Sequence, residues 1–121
     1  MQSVVIMCDQ SPVGTNAPAE VVRIGSGLKA LGETVACKVI FAGDAVYLVS
    51  KRVHPDAVKA DSFAEILEMA ELSELPLYVV DTALEEAGLA REDLIDYTGL
   101  SIVTLEDVAS FLAEADTCFW Y

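Results

Sequence analysis

The chain has 121 residues, with 20 Asp and Glu against 7 Lys and Arg, and a formal net charge of −13 at pH 7. That length supports one core and falls short of two. The charge argues against direct binding to a phosphate backbone.

The acidity is uneven: from residue 61 onward there are fifteen acids and one base, Arg91. Such a half suits docking against basic protein surfaces. Yet 54% of residues are hydrophobic and the mean hydropathy is +0.45. A small domain cannot bury so large an apolar share, so a self-associating protein is expected. No apolar run approaches the roughly 20 residues of a membrane span. Met1-Gln2-Ser3 enters an apolar stretch without a basic leader, so a cytoplasmic protein with no membrane partner is expected. Three cysteines without a CxxC spacing predict neither a disulfide framework nor a metal site.

In chain order, Val4–Cys8 is an apolar run that reads as a strand buried on both faces, as parallel sheets require. Thr15 or Asn16 then caps a helix with Pro18 in its first turn. Val21, Ile24, Gly25, Leu28 and Leu31 are predicted on its inner face. Gly25 and Gly27 cost propensity but let the helix approach the sheet, and Gly32 ends it. Val35–Ala42 reads as the second strand, with Cys37 in the core. Asp44–Ser50 reads as a helical turn or two, leading to an exposed basic stretch, Lys51 to Ala60, that His54-Pro55 keeps from being helical.

Ser62 to Glu65 has capping-box spacing and opens a helix that buries Phe63, Ile66, Leu67 and Ala70. Leu77–Val80 is a third strand, followed by a short helix from Thr82 that stops near Gly88. Leu100–Val103 is a fourth. A helix from Thr104 then turns Val108, Phe111, Leu112 and Ala115 inward. Thr117–Tyr121 is the last strand, its aromatics tucked into a core or a subunit interface. Strands alternating with helices predict right-handed crossovers. The expected fold is one three-layer α/β/α domain over residues 1–121, with a mainly parallel sheet of about five strands.

Ligands of such sheets bind outside the carboxyl ends of the strands. Cys8 ends the first strand and is the candidate catalytic thiol, although Asp9 beside it disfavours a thiolate. Asp9, Ser11, Gly14, Thr15, Asn16, Asp44 and Asp81 are predicted to line the same cleft. Gly14-Thr15-Asn16 could offer backbone N–H groups to a small anion, but no GxGxxG or GxxxxGK[ST] is present and no cofactor is expected. His54 is the single histidine, so a hydrolytic triad has no support. A phosphoacceptor site of the response-regulator kind is rejected, since no Lys follows residue 59.

Taken together, Ser11-Pro12-Val13-Gly14-Thr15 resembles the "(A/S)-P-(Y/H)-G" loop of the DsrE/DsrF/TusC-like sulfur-relay family. Ile40-Phe41-Ala42-Gly43-Asp44-Ala45-Val46 resembles its "F-I-(G/S)-D-G-V" segment, with Ala45 where Gly is usual. Leu84 to Leu89 resembles its "S-L-x-E-R-G-L" helix end, and Ala115-Asp116 before an aromatic strand resembles its ending. The resemblance implies a compact α/β/α protomer in trimers or hexamers, often with paralogous subunits. Active members carry sulfur as a cysteine persulfide and hand it to an acceptor protein.

That resemblance also implies a departure. The family's carrier cysteine ends the third strand, and matching Ala83-Leu84 to the following helix start places Val80 or a neighbour there. No thiol occurs between Leu77 and Thr82. Three functions follow as expectations: a non-catalytic oligomer subunit of a sulfur relay, a thiol carrier that uses Cys8 from a first strand beside the third, or a small-anion sensor.

Overall fold

The computed structural model describes residues 2–11, 15, 17–51 and 63–121. Gly14, Asn16, His54 and the Ser62 end of the predicted capping box lie outside these residues, as does most of the basic stretch after Lys51.

Five strands form one parallel sheet: β1 (Gln2–Cys8), β2 (Val35–Phe41), β3 (Leu77–Val80), β4 (Leu100–Val103) and β5 (Thr117–Trp120). Their spatial order is β4-β3-β2-β1-β5. Among the described residues the helices between them are α1 (Ala17–Lys29), α2 (Phe63–Leu72), α3 (Asp81–Ala87) and α4 (Leu105–Glu114). A 3-10 helix, Gly43–Val49, follows β2 where a helical turn or two is predicted. The α/β class and the five parallel strands agree with the sequence reading.

The strand order explains how the helices divide. From β1 to β4 each strand is laid beside the previous one in a single direction, so right-handed crossovers put these connections on one face. Gly25 of α1 meets Val39 of β2 and Leu75 on that face, and α1 packs against α2. The chain then steps back past β1 to form β5, which puts α4 on the opposite face. Phe111 of α4 lies 5.1 Å, ring to ring, from Tyr78 of β3, and the Lys38 ammonium of β2 sits 5.3 Å from the same ring.

Burial follows from being covered on both faces. Val4 to Cys8 are buried in succession, and Val39, Ile40 and Phe41 are fully enclosed. Thr104 caps α4 through its hydroxyl, which accepts from Asp107 N–H at 3.1 Å, while the Asp107 carboxylate accepts from Thr104 N–H at 3.0 Å. Gly88 ends α3 in the left-handed conformation, φ 71°, which satisfies the last carbonyls at little steric cost.

Three expectations are corrected. The buried stripe of α1 is Pro18, Ala19, Val21, Val22, Gly25 and Ser26, whereas Ile24 and Leu31 are exposed. Valines at both 21 and 22 satisfy either of two adjacent stripes, and contact with α2 selects between them. Only Gly25 makes a close approach; a Cβ on Gly27 would meet nothing within 4 Å. Finally, β1 and β3 are not neighbours, because β2 lies between them.

Candidate functional site

The strand order reverses at β1, between β2 and β5, and in open parallel sheets this is where ligands bind. Here the backbone closes tightly around the carboxyl end of β1. Ala42 N–H donates to the Cys8 carbonyl at 2.9 Å from one side. On the other, Asp9 N–H donates to the Tyr121 carbonyl at 3.1 Å, and Tyr121 N–H donates to the Met7 carbonyl at 2.8 Å. Gly43 turns the chain at φ 49°, where a Cβ would lie 3.2 Å from the Asp9 carbonyl oxygen. A side chain there would be strained by both conformation and contact.

The predicted residues divide across this end. Asp9 follows β1 and is exposed, as is Asp44 at the start of the 3-10 helix after β2. Asp81 opens α3 after β3 and is half-buried, its Oδ1 accepting from Thr82 N–H at 2.7 Å. Ser11 is half-buried and its carbonyl accepts from the exposed Thr15 hydroxyl at 2.6 Å. The ends of three successive strands therefore each carry a carboxylate. Among the described residues no three His, Cys, Asp or Glu side chains converge on a metal-sized site.

Cys8 has no exposed surface. Burial is the main cause that pushes its thiol pKa up, and the Asp9 charge adds to it, while a hydrogen bond from the Gln10 backbone opposes both. The thiolate needed for sulfur chemistry is thus disfavoured at Cys8. Cys37, predicted as core, is 2% exposed, and burial raises its pKa to about 11 against the lowering effect of Lys29 and Lys38. Cys118 is the exposed thiol, in β5.

Val80 is the last residue of β3 and the N-cap residue of α3, and it is 2% exposed. The register settles which way it points. Cys8 pairs with Phe41 and Phe41 with Val79, so these three share the α1 face. Val80, one residue on, turns to the α4 face. Cys8 and Val80 therefore belong to opposite faces of the sheet.

Two further features carry no residue from the predicted set. A cavity of about 230 Å³ lies against β4 between Lys51, Arg91 and Tyr97, and another of about 360 Å³ lies between Glu71, Tyr97 and Gly99. The aromatics of the last strand are not tucked into a core: Phe119, Trp120 and Tyr121 are 47%, 65% and 37% exposed. Their apolar run was visible in the sequence, but its exposure depends on β5 being the outermost strand among the described residues.

The model of the DsrE/DsrF-like family matches residues 2–121. No curated protein sequence matches significantly. Among solved structures, the ychN protein of E. coli superposes with a TM-score of 0.83 at 22% identity, covering all of both chains. A protein of unknown function from Methanobacterium thermoautotrophicum gives 0.70 at 13% identity, again covering all of both chains. A conserved protein of unknown function from Bacteroides thetaiotaomicron gives 0.67 at 12% identity, over 99% of this chain and 95% of the other. At these identities the likeness is one of fold.

Proposed function

Because the chain belongs to the DsrE/DsrF-like family, we propose that it serves a sulfur relay as a structural, oligomer-forming subunit and not as the sulfur carrier. The observation that carries this assignment is Val80, which ends β3 at the position where the family resemblance puts the carrier thiol. A carrier needs a thiolate that attacks the donor sulfur and then offers its outer sulfur to an acceptor. An isopropyl group does neither.

Cys8 is a poor substitute, since it is fully enclosed, faces the other side of the sheet and has a raised pKa. The three carboxylates at the strand ends count against a small-anion sensor at the same edge. The exposed aromatics of β5 and the acidic half of the chain suit contacts with further copies, paralogous subunits, and a donor or acceptor protein in the cytoplasm.

Native mass spectrometry at micromolar concentration tests the subunit role. A homo-oligomer, or a stable complex with a paralogous subunit, is expected. A clean monomer that captures no partner would overturn it.

A further inference from the structure

We propose that two copies of this chain pair antiparallel through their β5 strands, about a two-fold axis at Phe119, to make one continuous ten-stranded sheet. This rests on the subunit role above and specifies the contact.

The pairing pattern of β5 comes first. Tyr121 directs both its N–H and its C=O at β1. Backbone direction alternates along a strand, so Thr117 and Phe119 share that direction. Cys118 and Trp120 then present their N–H and C=O groups to the open edge, since β5 is the outermost strand of the sheet. The strand is held firmly for this role. At its start Asp116 N–H donates to the Ser3 carbonyl and Ser3 N–H donates to the Asp116 carboxylate, both at 2.8 Å.

An exposed edge of this kind is normally blunted by a charge, a proline or a bulge. Thr117-Cys118-Phe119-Trp120-Tyr121 has neither charge nor proline, although fifteen acids are distributed over residues 61–121. The other edge strand, Leu100-Ser101-Ile102-Val103, is also uncharged, but only β5 presents exposed aromatic side chains at its edge.

The same pattern selects a second copy as occupant. With Phe119 on a two-fold axis, Cys118 of each copy stands opposite Trp120 of the other. The outward N–H and C=O groups of one then meet those of its mate, with four hydrogen bonds made and none orphaned. Such self-complementarity is what an isologous interface requires. Phe119 meets Phe119 on the α1 side, and Trp120 covers Cys118 twice on the α4 side. With about 200 Å² for each aromatic side chain, their exposed fractions leave roughly 300 Å² per copy to be covered. Two copies thus supply about half of the ~1,200 Å² at the lower end of stable interfaces from these side chains alone.

Directly opposed residues of this non-hydrogen-bonded type have Cα atoms about 4.5 Å apart, within the range a disulfide spans. In a Cys118→Ser background, Phe119→Cys should therefore cross-link into a covalent dimer under diamide, whereas Leu31→Cys, exposed on another element, should not. Adding Trp120→Lys should weaken the dimer at least tenfold, and raised salt should strengthen it by screening the like-charged copies. In the unaltered protein the Cys118 and Trp120 amides should be protected from hydrogen exchange at micromolar concentration and released on dilution. This readout does not depend on any variant folding. An oligomer whose position 119 does not cross-link and whose two amides exchange freely overturns the β5 contact and leaves the subunit role standing. A monomer with the same results overturns both.

Discussion

Cys8 and Val80 point to opposite faces of the sheet, from strands that β2 separates. A thiol at position 8 is therefore not a relocated version of one at position 80. It belongs to the core on the α1 face, where burial and the Asp9 charge favour the protonated form.

That placement predicts a reactivity order. In the native protein at neutral pH, a small alkylating reagent should modify Cys118 first. Cys8 and Cys37 should react only as fast as the core opens, roughly a hundredfold or more slowly. Peptide mapping at timed quenches measures this, and equal labelling of Cys8 and Cys118 would contradict it.

Two glycines of α1 should respond with opposite signs. A Cβ at Gly25 would sit 2.9 Å from Val39 Cγ2 and 3.0 Å from Leu75 Cδ2. Overpacking of about 1–3 kcal/mol should outweigh the helix-propensity gain of ~1 kcal/mol, so Gly25→Ala destabilises. Gly27→Ala meets open space and should stabilise by about 0.5–1 kcal/mol. Urea unfolding of the two variants separates them, and a stabilising Gly25→Ala would refute the close approach.

Tyr97 links two loops from inside the fold. Its hydroxyl donates to the Leu75 carbonyl at 2.6 Å, and the residue is 8% exposed. Tyr97→Phe leaves that carbonyl without its partner and should cost about 1–2 kcal/mol. An unchanged denaturation midpoint would show that water replaces the bond.

Alkaline pH should weaken the fold through the same buried groups. Burial raises Cys37 from 9.0 to about 11 and, with the Glu71 charge adding to it, Tyr97 from 10.0 to about 12. The unfolded chain releases these protons first. The stabilisation is thus complete below pH 9 and is lost as pH rises through 11 and 12. Urea midpoints should fall over that window, and Cys37→Ala should flatten the part between pH 9 and 11. A midpoint independent of pH up to 11 would contradict the burial of both groups.

The strands were legible because buried parallel strands are written as apolar runs, as in Val4–Cys8 and Val35–Phe41. The α4 cap was legible because Thr104 and Asp107 are three residues apart, and local chemistry suffices for it. Spatial order was not legible: alternation of strands and helices predicts a parallel sheet but leaves open which strands are neighbours. The expectation that β1 and β3 adjoin failed for that reason. The α1 stripe was misplaced because adjacent valines are ambiguous until α2 is in place. The close of β3 at Val80 was legible from its apolar run, whereas the end of β1 around Cys8 is tied down by residues as distant as Ala42 and Tyr121. The exposed β5 edge is invisible to periodicity, since an apolar strand reads alike whether or not another strand covers it.

The central proposal, that no buried thiol of this chain carries sulfur, is tested most directly by intact mass. The Cys118→Ser protein is incubated with glutathione persulfide and weighed. Its mass should not change. An added sulfur atom that maps to Cys8 and disappears with Cys8→Ser would contradict the account.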